Sequence, residues 1–321
     1  MKRKKISSLL FFVPTILLSQ PVSFCVGSCA DLNNGKNEKI FTIIANQEPE
    51  FFLWLGDNIY STEEHWGSFK SMKKAYQDRH STEEIAKMFN SVKPQYAIWD
   101  DHDYGPNDAD SSFFGKKISA RVFESVWTDT PTEVSKYGDT RWSLLRGDIG
   151  IIGLDDRSHR GQTGSQVLGN NQLKWLEKTI NRYNEAKIIF IALGSQILNE
   201  AKVYENYSRF PQERSRFLEI CSNSNSQIVL LSGDRHHGEL NVKKVNGKRI
   251  IEITSSPLTS STHSPSKDEL KNNHSLVRGS VIDLNHFNRI NWDGDSTLST
   301  DFLSSTGKVL LSKEWTIQTN F

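Results

Sequence analysis

Short apolar runs punctuate the chain: Val22–Val26, Phe51–Leu55, Tyr96–Trp99, Gly150–Leu154, Ile188–Ala192 and Ile228–Leu231. Each is apolar at most positions rather than at alternate ones, which suits strands covered on both faces. Between them the apolar positions change to helical spacing. Trp66, Phe69, Met72 and Tyr76 predict a helix over Trp66–Tyr76, and Leu173, Leu176 and Ile180 one over Asn171–Tyr183. Pro211 opens a third, running to about Ile220, at a first-turn position that proline favours. Beyond Glu239 the pieces are strand-like: Leu240–Val245, Arg249–Thr254, Val281–Leu284, Arg289–Trp292 and Val309–Ser312. The Ser-, Thr- and Asn-rich stretch Ser255–Ser275 reads as a long exposed loop, with strands resuming after it. An α/β order followed by a β-rich end, without internal repeats, predicts a single α/β domain over residues 21–321.

The start of the chain reads differently. Lys2, Arg3, Lys4 and Lys5 precede an apolar run from Ile6 to Leu18. A basic region before a short apolar stretch predicts a secretory signal peptide over residues 1–20, and hence export to the periplasm or the extracellular space. The run falls short of the ~20 residues of a comfortable membrane span. Leu17-Leu18-Ser19 lacks a clean small-x-small pattern, so an uncleaved membrane anchor is the alternative. In the 321 residues, 39 Lys and Arg balance 38 Asp and Glu, for a net charge of +1. That balance argues against a general electrostatic footprint for nucleic acid or anionic lipid. Three cysteines are too few for a disulfide scaffold, although Cys25 and Cys221 could pair in an oxidising compartment.

Candidate chemistry sits where predicted strands end. Gly27-Ser28-Cys29 follows the first strand, and Gly56-Asp57-Asn58-Ile59-Tyr60 the second. Asp100-Asp101-His102-Asp103-Tyr104-Gly105, with Asn107 and Asp108, follows the third, and Gly233-Asp234-Arg235-His236-His237 follows Ile228–Leu231. Taken singly, Gly56-Asp57 is a turn, Cys29 a small buried apolar residue, and Asp100–Asp103 a solvated acidic run. Their recurrence after strands points to one site, because open α/β sheets bind ligands beyond the carboxyl ends of their strands. Carboxylates gathered in one crevice repel unless cations neutralise them, and thiol, imidazole and phenol groups add donors for borderline cations.

These motifs resemble those of PhoD-like alkaline phosphatases, within the calcineurin-like metallophosphoesterase superfamily. Gly153-Leu154-Asp155-Asp156-Arg157 and Glu252-Ile253-Thr254-Ser255-Ser256 add weaker agreement. The resemblance implies a four-layer αββα sandwich of two mixed β-sheets. It implies an exported metal-dependent phosphoesterase acting on small phosphate mono- or diesters by attack of a metal-bound hydroxide at a dinuclear centre. It also implies that Asp57 bridges two ions, that Cys29, Tyr60 and His236 hold one, and that Asp101 and Asp234 hold the other. Thiolate and phenolate favour Fe3+, and carboxylates favour Ca2+. Asn107 and Asp108 would support the site or ligate a further calcium. His102 would face the phosphate as acid, and Arg157 and Arg235 would either grip its oxygens or serve as structural ion-pair residues. The best-studied branch of the family carries an additional N-terminal β-domain, whereas here the first predicted strand follows almost directly on the predicted leader, an expectation that leaves substrate size open. The alternative is a secreted calcium-binding protein that keeps the ligands for stability alone.

Overall fold

A computed structural model describes residues 20–31 and 38–318; apart from Gln20, the predicted leader lies outside the described residues. The strands, in chain order, are β1 (Val22–Gly27), β2 (Phe52–Leu55), β3 (Gln95–Ile98), β4 (Trp142–Arg146), β5 (Ile149–Gly153), β6 (Ile188–Leu193), β7 (Gln227–Ser232), β8 (Glu239–Val245), β9 (Lys248–Thr254), β10 (His286–Trp292), β11 (Thr297–Ser304) and β12 (Val309–Thr316). The helices are α1 (Lys39–Ala45), α2 (Phe69–His80), α3 (Glu83–Ser91), α4 (Asp101–Tyr104), α5 (Lys116–Val126), α6 (Val134–Tyr137), α7 (Gly169–Arg182), α8 (Pro211–Ser222) and α9 (Lys267–Asn272).

Two six-stranded sheets form, in the orders β12-β11-β10-β1-β2-β3 and β4-β5-β6-β7-β9-β8. Both are mixed: β1, β2 and β3 run parallel while β10 returns antiparallel to β1, and β5, β6, β7 and β9 run parallel between antiparallel β4 and β8. Strand alternation sorts side chains into three cores. Phe24 and Val26 meet Ile149, Ile151 and Phe190 between the sheets. Cys25, Phe52 and Trp54 point the other way, onto α1, α2, α3 and α5. Ile189, Ile191 and Leu230 pack under α7 and α8. The result is the four-layer αββα sandwich. Strands buried on both faces explain why their sequences read as continuous apolar runs.

Three expectations need correction. Val281–Leu284 forms no strand; it contributes only an isolated bridge, Ile282 to Gly238. Ser255–Ser275 is not a uniformly exposed loop: Ser255, Ser256, Thr259 and Ser260 are buried against the site, and α9 lies within it. Their hydroxyls find partners there, so polar composition did not translate into exposure. Cys25 and Cys221 are free and belong to the two opposite outer cores, so they do not pair.

The topology matters for function because the carboxyl ends of β1, β2, β3, β5, β6 and β7 share one edge. There the loops of the two sheets touch. Gly233, after β7, donates its N–H to the Gly194 carbonyl of its own sheet at 2.9 Å and also meets β2 of the other sheet. A Cβ on Gly233 would lie 2.5 Å from the Leu55 carbonyl oxygen, so only glycine allows this approach.

Candidate metal centre

Five of the residues singled out above adopt left-handed backbone: Cys29 (φ 55°), Asp57 (51°), Asp108 (59°), Asp234 (62°) and His236 (57°). Non-glycine residues pay for that conformation, and such strain gathers at functional sites. Hydrogen bonds fasten two of them, from the Cys29 N–H to the Gly56 carbonyl at 3.2 Å and from the His236 N–H to Ser256 Oγ at 2.9 Å, and others tie the neighbouring loops. Asp100 caps α4 by accepting from the Asp101 N–H, while Asp103 accepts from the Asp100 N–H. Asp103 also accepts from the Asn58 N–H and Nδ2 and from the Tyr76 hydroxyl at 2.7 Å, tying the loop after β2 to the loop after β3. Burial pushes its carboxyl up to about 7.

The side chains converge on Asp57. Its Oδ2 lies 3.5 Å from Cys29 Sγ and 3.4 Å from the Tyr60 hydroxyl, and its Oδ1 accepts from the His102 N–H at 3.4 Å. The two oxygens therefore face two clusters: Cys29, Asp57 and His236 on one side, Asp57, Asp101 and His102 on the other. Tyr60 completes the first, with its hydroxyl 3.4 Å from His236 Nε2. A third group joins Asp101, Asp108 and Glu205, with the Asp108 N–H donating to Asp101 Oδ2 at 2.7 Å. Asp234 lies outside these groups, although Asp101 and Glu205 are close enough to act on its charge. Asn107 is exposed beside Asp108.

The protonation of these groups shows what the donor set lacks. Burial, reinforced by Asp101 and Cys29, holds the Asp57 carboxyl well above the usual carboxylate range. Burial pushes the Cys29 thiol up to about 12, Tyr60 well above the ordinary phenol, and the Asp234 carboxyl up to about 6. For Asp101 burial also pulls upward, but Arg157, His102 and the Asp108 amide hold it below the usual range. Buried acids that resist ionisation in one another's company are the donors a cation reverses, since its charge favours every deprotonated form at once. Thiol, imidazole and phenol around one side of Asp57, and carboxylates around the other, fit two cations of different softness.

The two arginines are held elsewhere. Arg157 is fully buried; its guanidinium pairs with Asp100, lies 2.5 Å from Glu205 Oε2 and 3.9 Å from Asp156. Arg235 pairs with Glu269 at 2.6 Å and sits over the Tyr204 ring. Each guanidinium has a carboxylate partner, while Arg235 Nε and Nη1 have no hydrogen-bond partner. Glu205 escaped sequence reasoning altogether. It lies in the segment between β6 and α8 with no motif around it, and only the tertiary fold brings it to Asp101 and Asp108.

The model of the PhoD-like phosphatase family matches residues 139–300, about half of the chain. The chain belongs to that family. Membership makes it a phosphoesterase, a hydrolase of phosphoric esters that uses metal ions. Comparison with curated protein sequences gives no match. Among solved structures the chain is similar to PhoD, with a TM-score of 0.74 and 15% identity over 94% of this chain and 70% of that one. It is similar to purple acid phosphatase PPD1 from yellow lupin seeds, with a TM-score of 0.66 and 12% identity over 93% and 54%. It is also similar to GAP50, the anchor in the inner membrane complex of Plasmodium, with a TM-score of 0.62 and 13% identity over 93% and 90%. At these identities the likeness is one of fold. No helix among the described residues is long and apolar enough to cross a membrane.

Proposed function

We propose that the protein is an exported phosphoesterase whose centre holds two cations on either side of Asp57. The observation that carries this reading is the pair of clusters sharing that one carboxylate. Cys29, Tyr60 and His236 would hold the softer ion, for which ferric iron suits thiolate and phenolate. Asp101 and Asp234 would hold calcium, with Asp108 and Glu205 reinforcing that side and Asn107 at its rim. When bound, the cations supply Lewis acidity to the phosphate oxygens and a nucleophile at neutral pH.

The chain's own residues do the rest. His102 lies against Tyr60, with ring centroids 4.2 Å apart, and its backbone N–H is fastened to Asp101 Oδ1 at 2.9 Å. Burial pulls its imidazole below the ordinary range, while the neighbouring Asp101 favours the protonated form. In its protonated form the imidazole would give a proton to the departing ester oxygen as the bond to phosphorus breaks, and return to the neutral ring. Arg157 acts as a positioning residue: by clamping Asp100 and Glu205 it fixes the start of α4, and with it Asp101 and His102.

The test combines elemental analysis with turnover of p-nitrophenyl phosphate and bis-p-nitrophenyl phosphate, before and after chelation. Iron and calcium should be found, and chelation should abolish turnover. His102→Ala should lower kcat by about 10²–10⁴ at unchanged metal content. A metal-loaded, folded protein that turns over neither ester, or a His102→Ala variant as fast as the parent, would refute the mechanism.

A further inference from the structure

Next to the Asp101–Asp108–Glu205 group lies a cleft of about 550 Å³. Asp108 and Glu205 belong to both, so the cleft borders the carboxylate side of the candidate metal centre. A volume of this order accommodates a small organic ligand. Its most unusual wall is Tyr204, a large aromatic side chain left 61% exposed.

Tyr204 is exposed yet held. Its backbone is left-handed, with φ 41°, and its carbonyl accepts from Arg209 Nη1 at 2.9 Å. Arg235, itself fastened to Glu269, stands over the ring at 5.0 Å from the centroid. The hydroxyl lies 3.4 Å from His263 Nε2. Gln162, Thr163 and Phe210 line the same cleft, and the Arg160 guanidinium stands over the Phe210 ring at 5.2 Å from its centroid. Exposing an aromatic face to water forgoes the burial that normally stabilises such a side chain, and fixing it in place adds backbone strain. Both costs are recovered when a flat apolar surface covers the ring.

We propose that this cleft is the subsite for the organic group of the ester, and that Tyr204 selects esters whose organic group is a flat-faced ring. The proposal rests on the phosphoesterase reading of the neighbouring centre. It also accounts for Arg235, which supports the Tyr204 platform. Gln162 and Thr163 supply hydrogen-bonding groups at the rim for substituents on that ring.

Two non-hydrolysable ligands isolate the ring from the phosphate: phenylphosphonate and methylphosphonate, titrated calorimetrically into the metal-loaded protein. The parent should bind phenylphosphonate roughly tenfold more tightly than methylphosphonate, the scale of one aromatic contact. Tyr204→Ala should erase that preference while leaving methylphosphonate binding unchanged, and Tyr204→Phe should retain it. In turnover, Tyr204→Ala should lose roughly tenfold in kcat/KM on p-nitrophenyl phosphate and nothing on glycerol 2-phosphate. Absence of a ring preference in the parent, or its survival in Tyr204→Ala, overturns the proposal. Since Tyr204 is exposed, thermal unfolding of the variant should match the parent and exclude misfolding as the cause. Ring-selective binding without turnover of any ester would refute the phosphoesterase reading and leave the subsite standing.

Discussion

Replacing Arg157 by Gln keeps length and polarity but removes a charge that has no access to solvent. The guanidinium touches Asp100, lies 2.5 Å from Glu205 Oε2 and 3.9 Å from Asp156 Oδ1, and Asp100 is itself fully buried. At an effective dielectric of about 20, a pair of unit charges at 3–4 Å attracts by about 4–6 kcal/mol, most of it offset by desolvation of both partners. Removing one partner leaves that desolvation uncompensated, and the cost for a buried pair is about 3–5 kcal/mol. In a protein of this size each kcal/mol shifts the melting temperature by about 2–4 °C, so Arg157→Gln should melt about 10 °C below the parent. Arg157→Lys keeps the charge but cannot span Asp100 and Glu205 with one planar fork, and should recover only part of the loss. The assay is thermal unfolding of the chelated proteins, followed by circular dichroism. A loss below about 1 kcal/mol for Arg157→Gln would refute the claim that this cation organises the loop. So would a Lys variant as unstable as the Gln variant, because charge would then not be the cause.

Glu252 accepts the Ile197 and Leu198 N–H groups at 2.7 Å, and burial pushes its carboxyl up from 4.5 to about 7. Between those values the folded state keeps a proton that the unfolded chain has released, so this group's stabilisation is complete at low pH and is lost as pH rises through about 7. The parent should therefore lose about 3 kcal/mol across that window relative to Glu252→Gln, read from urea midpoints at each pH; parallel profiles would contradict it. For export, expression of the full chain with and without residues 1–20 in a secretion-competent host should place only the full chain outside the cytoplasm, with intact mass showing cleavage near residue 20; equal partitioning of the two would argue against a leader.

The local pattern of the chain was enough for much of the architecture. Strands such as Ile188–Leu193, buried on both faces, are continuous apolar runs, and α7 and α8 carry their apolar stripes at helical spacing. The abrupt change from apolar to acidic, His or Cys residues after β1, β2, β3 and β7 also marked one edge for the site, since parallel strands end together. Edge strands were harder. Trp142–Arg146 is only partly buried, so no apolar run announces it, whereas Val281–Leu284 has an apolar pair but only one bridge to pair with. What remained invisible depended on contacts between distant segments. Glu205 reaches Asp101 and Asp108 across the gap between the sheets, and nothing in its neighbours along the chain distinguishes it. Arg157 and Arg235 each offered the sequence a choice between gripping a ligand and pairing with carboxylates. The fold sets Asp100 and Glu205 around one and Glu269 beside the other, partners the sequence does not name. Periodicity is a local property of the chain, and so is the residue type at a strand end. The partner of a buried charge is settled only when segments far apart in sequence are packed together, because only there does desolvation make the pairing obligatory.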